Sequence, residues 1–374
     1  MKLGKIVSMS VAGFRNLKQV SGVEMPELSV LIGGNGVGKS TVIRFVDFLK
    51  QIQQGRLQRY VMENGGGDDQ LFMGSNHTSS ITAQLKFELG SGGFAEYAFE
   101  LGYRSIGDGL YIEREGWRRV GQIDKNAGLW SFVSDGDRGT GKESALAIQA
   151  DETARSIHRF LADMAVYQFH NTSVNAAINK YWDVTDCYRL RSDGGNLAAV
   201  LLDLKKNDPR RYSIIVRQIQ RFVPTLEDFE LNPVEASGKV MLKWRSRFSD
   251  KTFGAHLTSD GSLRLFCLVT LLSLPEERLP SVICIDEPEL GLHPYAVELV
   301  AEMVKIVARK RQVILATQSP YLVDCFELEN VIIAESRGGE TSLKTLPRQE
   351  YQRWLDADFQ LSDIWLSRSV GSKA

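Results

Sequence analysis

Near its start the chain reads Leu28-Ser29-Val30-Leu31-Ile32-Gly33-Gly34-Asn35-Gly36-Val37-Gly38-Lys39-Ser40, a short apolar run followed by a glycine-rich loop. The run predicts a buried strand, and the apolar residues after the loop recur at helical spacing. The loop fits the pattern G-x-x-x-x-G-K-[ST] between a strand and a helix, which is the context that this phosphate-binding motif requires. A chance match in a glycine-containing turn would lack that context.

The chemistry of this loop predicts how it holds phosphate groups. Its glycines let backbone N–H groups wrap the phosphates, and the helix that starts at Lys39 adds its dipole. Lys39 would bridge the β- and γ-phosphates, and the hydroxyl of Ser40 would bind Mg²⁺. The predicted nucleotide contacts are Gly33, Gly34, Asn35, Gly36, Val37, Gly38, Lys39, Ser40 and Thr41.

A second motif lies far along the chain, where the apolar run Val282-Ile283-Cys284-Ile285 ends in Asp286-Glu287. Two acids at a strand end could form a solvated turn or cap the next helix. Beside a phosphate loop the catalytic interpretation is favoured. Asp286 would then hold the Mg²⁺ shell, and Glu287 would orient the attacking water.

Composition and charge limit the classes of protein. The 374 residues are 43% hydrophobic and 24% charged with a net charge of -1, which predicts a soluble globular protein without a global field for nucleic acid or membranes. The start resembles no signal peptide, and no run reaches the roughly 18 apolar residues of a membrane span. Four isolated cysteines argue against zinc and disulfides. We therefore expect a cytoplasmic protein that does not contact a membrane.

The order of predicted elements indicates an α/β fold with a mixed central sheet, an antiparallel β lobe and a helical insertion lobe. Alternating residues predict a hairpin of 80–89 with 95–101, and the segment 102–141 reads as short strands and loops. Helices are predicted over 144–161, 196–206, 209–223, 261–274 and 295–309, and strands over 281–285, 312–317 and 331–335. Helix–strand alternation after residue 257 predicts a parallel sheet.

The predicted domain organisation is one head over 1–350, followed by a tail helix over 351–374. The head divides into an N-lobe (1–143), a helical insertion lobe (144–256) and a lobe with the two acids (257–350). No heptad repeat occurs between residues 41 and 257, so long coiled-coil arms are not expected.

Further motifs in the expected order resemble the RecF, SMC and OLD-like branch of the ABC ATPases, and most of all its small, armless bacterial members. Gly34-Asn35-Gly36 is similar to that branch's phosphate loop, and Phe14-Arg15-Asn16 resembles its opening motif. The resemblance implies that Arg15 reaches the nucleotide phosphates. Pro288 to Pro294 resembles the D-loop, with His293 in the position where aspartate is usual.

The same resemblance implies three more roles. Thr258-Ser259-Asp260-Gly261-Ser262 resembles the signature loop, in which Ser259, Asp260 and Gly261 would contact the γ-phosphate bound by a second subunit, although an ordinary helix cap fits the residues too. Ala316 to Pro320 resembles the switch segment, with Gln318 in place of the common histidine. Gln168 is either the Mg²⁺ contact of a Q-loop or a buried polar core residue.

The resemblance implies an ATPase with ATP and Mg²⁺ as cofactors, which works as a homodimer or higher oligomer closed around nucleotide. The expected partner is a separate effector, a nuclease or a toxin, in DNA repair or phage defence, because only about forty residues follow the last predicted strand and a TOPRIM nuclease domain needs more. DNA is a second candidate partner, through Arg210, Arg217 and Arg221 of a basic helix whose arginines could equally form a solvated face. The alternative function is a nucleotide-gated scaffold with little hydrolysis, and a transporter subunit is disfavoured.

Overall fold

The computed structural model describes residues 3–121, 128–133, 141–349, 351 and 359–371. The chain forms two compact units. The first comprises Met1–Ala165 with Glu327–Ala374, and the second comprises Val166–Phe326. The predicted lobe boundaries stay predictions, and part of the predicted tail helix lies outside the described residues.

Seventeen strands occur in the described residues, and several of them have only two or three residues. They are β1 (Leu3–Phe14), β2 (Leu17–Glu24), β3 (Leu28–Ile32), β4 (Ser80–Leu89), β5 (Phe94–Arg104), β6 (Gly109–Val120), β7 (Ser131–Phe132), β8 (Ala165–Tyr167), β9 (Trp182–Asp183), β10 (Leu226–Phe229), β11 (Lys239–Val240), β12 (Lys243–Ser246), β13 (Ser249–Gly254), β14 (Val282–Asp286), β15 (Gln312–Thr317), β16 (Val331–Arg337) and β17 (Glu340–Thr345).

The α-helices of the described residues are no longer than 15 residues, so this part of the chain has no coiled-coil arm. They are α1 (Lys39–Gln53), α2 (Leu57–Glu63), α3 (Glu152–Ala162), α4 (Leu197–Asn207), α5 (Pro209–Gln220), α6 (Asp260–Leu272), α7 (Pro294–Ala308), α8 (Pro320–Val323) and α9 (Leu361–Gly371). Within the described part of the chain, no helix combines the length and apolar character of a membrane span.

An antiparallel sheet in the order β2-β1-β4-β5-β6-β7 dominates the first unit. Its β4–β5 hairpin confirms the predicted pair, with Leu85 opposite Tyr97. Strand β2 was not predicted, and β6 is one strand of 12 residues where short strands and loops were expected. The charged residues of β6, such as Glu113 and Arg114, are exposed and obscure its alternation.

A helix predicted to start at residue 144 begins eight residues later, as α3. The reason is its cap: the side chain of Asp151 accepts a hydrogen bond from the backbone N–H of Ala154, 2.9 Å away, and so satisfies one of the free donors of the first turn. Residues Ser144 and Ala145 instead donate hydrogen bonds to the buried carboxylate of Glu115.

Strand β3 leads directly into the phosphate loop. Every residue of β3 is buried, and it pairs in parallel with β16, with Ile32 opposite Ile333. Phe14, at the end of β1, lies between two rings of α1, with ring centroids 5.3 Å from Phe45 and 5.0 Å from Phe48. This aromatic packing holds the helix that follows the loop against the antiparallel sheet.

The second unit is built around β14 and β15, which pair in parallel as the helix–strand alternation predicted. Both strands are buried along their whole length, which is typical of strands covered on both faces. Helix α6 packs against α7 and α5, and α5 against α4. A small antiparallel sheet, β10-β12-β13, completes this unit.

A buried polar network joins α1 to the antiparallel sheet. The hydroxyl of Tyr97 donates to Glu115 Oε1 at 2.7 Å and accepts a hydrogen bond from Gln53 Nε2 at 2.8 Å. Tyr97 is completely buried, and burial raises the pKa of its hydroxyl well above the usual value, so it stays a donor. The network anchors the carboxyl-terminal end of the helix that starts at the phosphate loop.

We expect Tyr97→Phe to lower the free energy of unfolding by about 1–3 kcal/mol, because it leaves Gln53 Nε2 and one oxygen of Glu115 without their shared partner. Urea unfolding followed by circular dichroism measures this. Tyr181→Phe, at a 49% exposed tyrosine, is the control and should change stability by less than about 0.5 kcal/mol. Equal effects of the two substitutions would contradict the role of the network.

Candidate functional site

The phosphate loop of the first unit surrounds a buried lysine. Lys39 is only 7% exposed, and its Nζ donates to the carbonyl oxygens of Gly33 and Gly34 at 2.7 and 2.8 Å. The loop thus curls around its own ammonium group. Of the other predicted contacts, Gly34, Asn35, Gly36 and Ser40 are exposed, while Val37 and Thr41 are partly exposed.

The loop is shaped by a close approach at Gly38. This residue has a φ of 107°, and a Cβ atom on it would lie 2.1 Å from Thr341 Oγ1. Only glycine combines that backbone conformation with that space. Thr341 is itself buried, and its hydroxyl donates to the carbonyl oxygen of Val37 at 2.8 Å while its N–H donates to Asn16. Thr341 of β17 therefore supports the backbone of the phosphate loop.

The loop and the start of α1 fit a phosphate group. Gly38 is the N-cap residue of α1 and supplies no side-chain cap, while the N–H of Thr41 donates to the carbonyl oxygen of Gly38 at 3.0 Å. A helix N-terminus with a lysine beside it is suited to a phosphate anion. Lys39 and the backbone from Gly33 to Thr41 would hold the phosphates, and Ser40 would supply a hydroxyl to Mg²⁺.

Arg15 of the opening motif is held in place by its neighbours. It has a left-handed backbone with a φ of 51°, and its guanidinium donates to Gln70 Oε1 from Nη2 at 3.0 Å and from Nε at 3.2 Å. Burial lowers the pKa of Arg15 from its usual value, although an arginine keeps its charge at neutral pH. The predicted contact of Arg15 with nucleotide stays a prediction.

The two acids of the second unit lie where β14 ends. Asp286 pairs with Ala316 of β15, and the N–H of Glu287 donates to the carbonyl oxygen of Ala316 at 2.8 Å. Glu287 has a φ of 46°, in a region that non-glycine residues seldom adopt and that recurs at functional sites. The carboxyl ends of parallel strands meet at one edge, so the acids lie beside the switch segment.

Gln318 of the switch segment contacts the predicted catalytic acid. Its Nε2 donates to Glu287 Oε1 at 2.8 Å. Both residues were predicted from their motifs to have a role, but no contact between them was predicted. A neutral amide carries no titratable proton near neutral pH, so this contact orients the acid without adding charge.

Gln168 lies against the predicted metal ligand. Its Nε2 donates to Asp286 Oδ2 at 3.1 Å, and His170 Nε2 lies 3.1 Å from the backbone oxygen of Asp286. Among the described residues no three His, Cys, Asp or Glu side chains form a metal cluster. Mg²⁺ usually binds one or two carboxylates together with phosphates and water, so the carboxylate of Asp286 is a suitable ligand for it. The assignments of Ser40, Asp286 and Gln168 to Mg²⁺ stay predictions.

The signature-like loop is exposed and serves as a helix cap in the single chain. Ser259 is the N-cap of α6, and its Oγ accepts a hydrogen bond from the N–H of Ser262 at 3.3 Å. Asp260 is exposed beside it, and Gly261 is partly exposed. A Cβ atom on Gly261 would lie 2.2 Å from the carbonyl oxygen of Gly291 in the D-loop-like segment, so only glycine fits there. His293 is the N-cap residue of α7 and makes no side-chain cap hydrogen bond, and its ring centroid lies 5.4 Å from that of Tyr295.

Arg264 of α6 joins three of these segments and was missed by sequence analysis. Its Nε donates to the carbonyl oxygen of Phe169, its Nη2 to that of His170 and its Nη1 to that of Leu290, at 3.1, 3.1 and 2.9 Å. One planar guanidinium therefore holds the signature helix, the Gln168 segment and the D-loop-like segment together. The acceptors are backbone atoms, which leave no signal in a sequence.

Two solved structures with the same fold are heads of SMC proteins. One, titled as the SmcHead bound to the C-winged helix domain of ScpA, is 13% identical with a TM-score of 0.59 and covers 93% of this chain and 99% of that chain. Another is an Smc head domain with an extended coiled coil bound to the C-terminal domain of ScpA, derived from Pyrococcus furiosus; it is 14% identical, with a TM-score of 0.53 and coverage of 94% and 98%. At these identities the likeness concerns the fold.

Fold and motifs together define an ABC-type, SMC-like ATPase head, as the sequence predicted. A family model described as "AAA domain, putative AbiEii toxin, Type IV TA system" matches residues 28–324, and the chain belongs to that family. No curated protein is similar enough in sequence to count as a relative.

We expect Lys39→Ala to weaken ATP binding by at least about 100-fold, because the charge-assisted hydrogen bonds to the phosphates are lost. Titration of a fluorescent ATP analogue measures the affinity. Lys50→Ala, at the other end of α1, is the matched control and should leave the affinity within about twofold. Unchanged binding by Lys39→Ala would contradict the assignment of the loop.

We expect Arg264→Ala to lower the free energy of unfolding by about 2–4 kcal/mol, because three backbone carbonyls lose a charged donor at once. Urea unfolding measures the change. Arg217→Ala, at an exposed arginine of α5, is the control and should cost less than about 0.5 kcal/mol. If the two variants are equally stable, Arg264 does not hold the three segments together.

Proposed function

We propose that this chain binds ATP with Mg²⁺ and hydrolyses it, that two copies close around the nucleotide, and that this cycle controls a separate effector protein. The family and the fold supply the coarser statement, an AAA-type ATPase resembling SMC heads. The finer statement rests on the arrangement of particular side chains. Phage defence and DNA repair are the biological settings that we propose.

The observation that carries the proposal of hydrolysis is the contact between Glu287 and Gln318. Glu287 follows Asp286 at the end of a buried strand, in a strained backbone conformation, with its carboxylate held by a neutral amide at 2.8 Å. An acid oriented in this way can accept a proton from an attacking water, which is the task of such a residue in phosphoryl transfer. Lys39 would stabilise the negative charge that develops on the transferred phosphoryl group.

The exposure of the signature-like loop supports closure of two copies around nucleotide. Ser259 and Asp260 are exposed at the start of α6. Large apolar side chains near this loop and the D-loop-like segment are also exposed, with Leu257 at 64%, Leu290 at 40% and Tyr295 at 67%. Exposed apolar side chains beside a polar functional loop are typical of surfaces that bind another protein. In the closed dimer, Ser259 would bind the γ-phosphate held by the other copy.

An effector protein is the partner that the comparisons support best. The titles of the two SMC heads describe each of them bound to ScpA, and the description of the family refers to a toxin. Support for DNA is more limited: Arg210 and Arg217 of α5 and Arg221 just after it are exposed, on a chain with a net charge of -1. Phosphate contacts by such arginines would make DNA binding strongly dependent on salt.

The nucleotide-gated scaffold remains the second candidate, because Gln318 cannot titrate as the common histidine can. The two candidates differ in the turnover of the native chain. A scaffold would bind ATP and change its association state while hydrolysing almost none of it.

We expect Glu287→Gln to lower the rate of ATP hydrolysis by about 100-fold or more, because an amide cannot accept a proton from the water. The same variant should accumulate as a dimer in the presence of ATP and Mg²⁺, since the closed state no longer turns over. Phosphate release measures the rate, and light scattering measures the mass in solution.

Adding Ser259→Arg to Glu287→Gln should abolish the dimer and leave nucleotide binding intact, because a long charged side chain would fill the place of the partner's γ-phosphate. Ser237→Arg, at an exposed turn residue, is the control and should leave the dimer intact. Equal turnover of the native chain and Glu287→Gln would favour the scaffold. If nucleotide binds but ATP does not change the molecular mass in solution, closure of two copies around nucleotide is contradicted.

A further inference from the structure

Glu289 is a partly buried acid to which the sequence motifs assign no role. It lies two residues after Glu287, in the segment between β14 and α7. Its Oε2 is buried and has no hydrogen-bond partner among the described residues of the chain. A carboxyl group in such surroundings is costly, so an acid here needs a reason beyond packing.

The other oxygen of Glu289 binds the switch segment. Thr317 Oγ1 donates to Glu289 Oε1 at 2.5 Å, and the same hydroxyl accepts a hydrogen bond from the N–H of Ser319 at 2.9 Å. Thr317 is thereby fixed to the carboxyl group of Glu289, and Ser319 is fixed to the hydroxyl of Thr317.

Two contacts therefore connect the same pair of segments. Glu289 binds Thr317, and one step along the chain Gln318 binds Glu287. The second contact depends on the direction in which the Gln318 side chain leaves the backbone. The Glu289–Thr317 contact sets the backbone from which that side chain extends.

We propose that Glu289 is a positioning residue, which holds the Thr317–Ser319 turn so that Gln318 stays hydrogen-bonded to Glu287. This inference rests on the proposed function, because it concerns how the water-orienting acid is kept in place. It assigns to Glu289 no contact with nucleotide or water.

Burial raises the pKa of Glu289 above its usual value, and the nearby charge of Glu287 raises it further. A carboxyl group that keeps its proton more readily adds less negative charge next to Glu287. The carbonyl oxygen of such a group can still accept the hydrogen bond from Thr317, and so can the carbonyl oxygen of a glutamine.

The first arm of the test compares variants of Glu289. We expect Glu289→Leu to lower kcat by about 10-fold with KM for ATP within about twofold, because only the orientation of the acid is lost. Glu289→Gln keeps an acceptor and should restore kcat to within about threefold of the native chain. Glu302→Leu, at an exposed acid of α7, is the control and should change neither constant.

The second arm removes the other partner of the contact. Thr317→Val should lower kcat as much as Glu289→Leu does, and the double variant should lose no more than the worse single variant, because one contact is removed in each. Should Glu289→Leu fail to fold, Thr317→Val and Glu289→Gln decide alone. The inference would be overturned if the losses in kcat of the two single variants multiplied in the double variant. It would also be overturned if the variants raised KM for ATP and left kcat unchanged, or if Glu289→Gln did not restore kcat.

A third arm reads the position of Gln318 without turnover. In protein labelled with ¹⁵N-glutamine, the side-chain amide signal of Gln318, identified by its absence in Gln318→Leu, should shift in Glu289→Leu and in Thr317→Val but not in Glu302→Leu. If the native chain does not hydrolyse ATP but the Gln318 signal shifts in Glu289→Leu and Thr317→Val, the proposed hydrolysis is refuted and the contact is supported. If the native chain hydrolyses ATP but Glu289→Leu changes neither kcat nor the Gln318 signal, the positioning role is overturned and the proposed function stands.

Discussion

The parallel register of β14 and β15 is the constraint on which the chemistry of the second unit depends. With Val282 opposite Gln312 and Asp286 opposite Ala316, the two strands end side by side. Because side chains alternate between the faces of a strand, a slip of one residue would turn Asp286 away from its present neighbours. The hydrogen bond from Glu287 N–H to Ala316 extends the register beyond the strand. The contact between Gln318 and Glu287 follows from this alignment.

Strain appears at two of the predicted functional residues. Arg15 and Glu287 both have a positive φ, which costs of the order of 1–3 kcal/mol for a non-glycine residue. In each case neighbouring groups hold the side chain: Gln70 binds Arg15, and Gln318 binds Glu287. Such strain persists only where surrounding contacts outweigh it. Both residues directly follow the last residue of a strand.

Loops in both units are held by groups that are distant in sequence. Thr341 supports the phosphate loop through the carbonyl oxygen of Val37, across more than 300 residues of chain. Arg264 binds three carbonyl oxygens of two separate segments. Asn35 and Ser40 of the first unit and Ser259 of the second are exposed, while Thr341, which supports the phosphate loop, is buried. The proposed role of Glu289 follows the same arrangement.

Sequence alone was enough to predict the phosphate loop, the two acids, the β4–β5 hairpin and the parallel pairing of the strands near the end of the second unit. These features depend on neighbouring residues, whose spacing and apolar pattern act locally. Only tertiary contacts show that Thr341 and Arg264 hold the loops, that Glu289 binds Thr317, that Asp151 caps α3, and that β2 and β6 extend the antiparallel sheet. The reason is that these contacts join distant residues, often through backbone carbonyl oxygens that every residue has, and that the charged face of β6 hides its alternation.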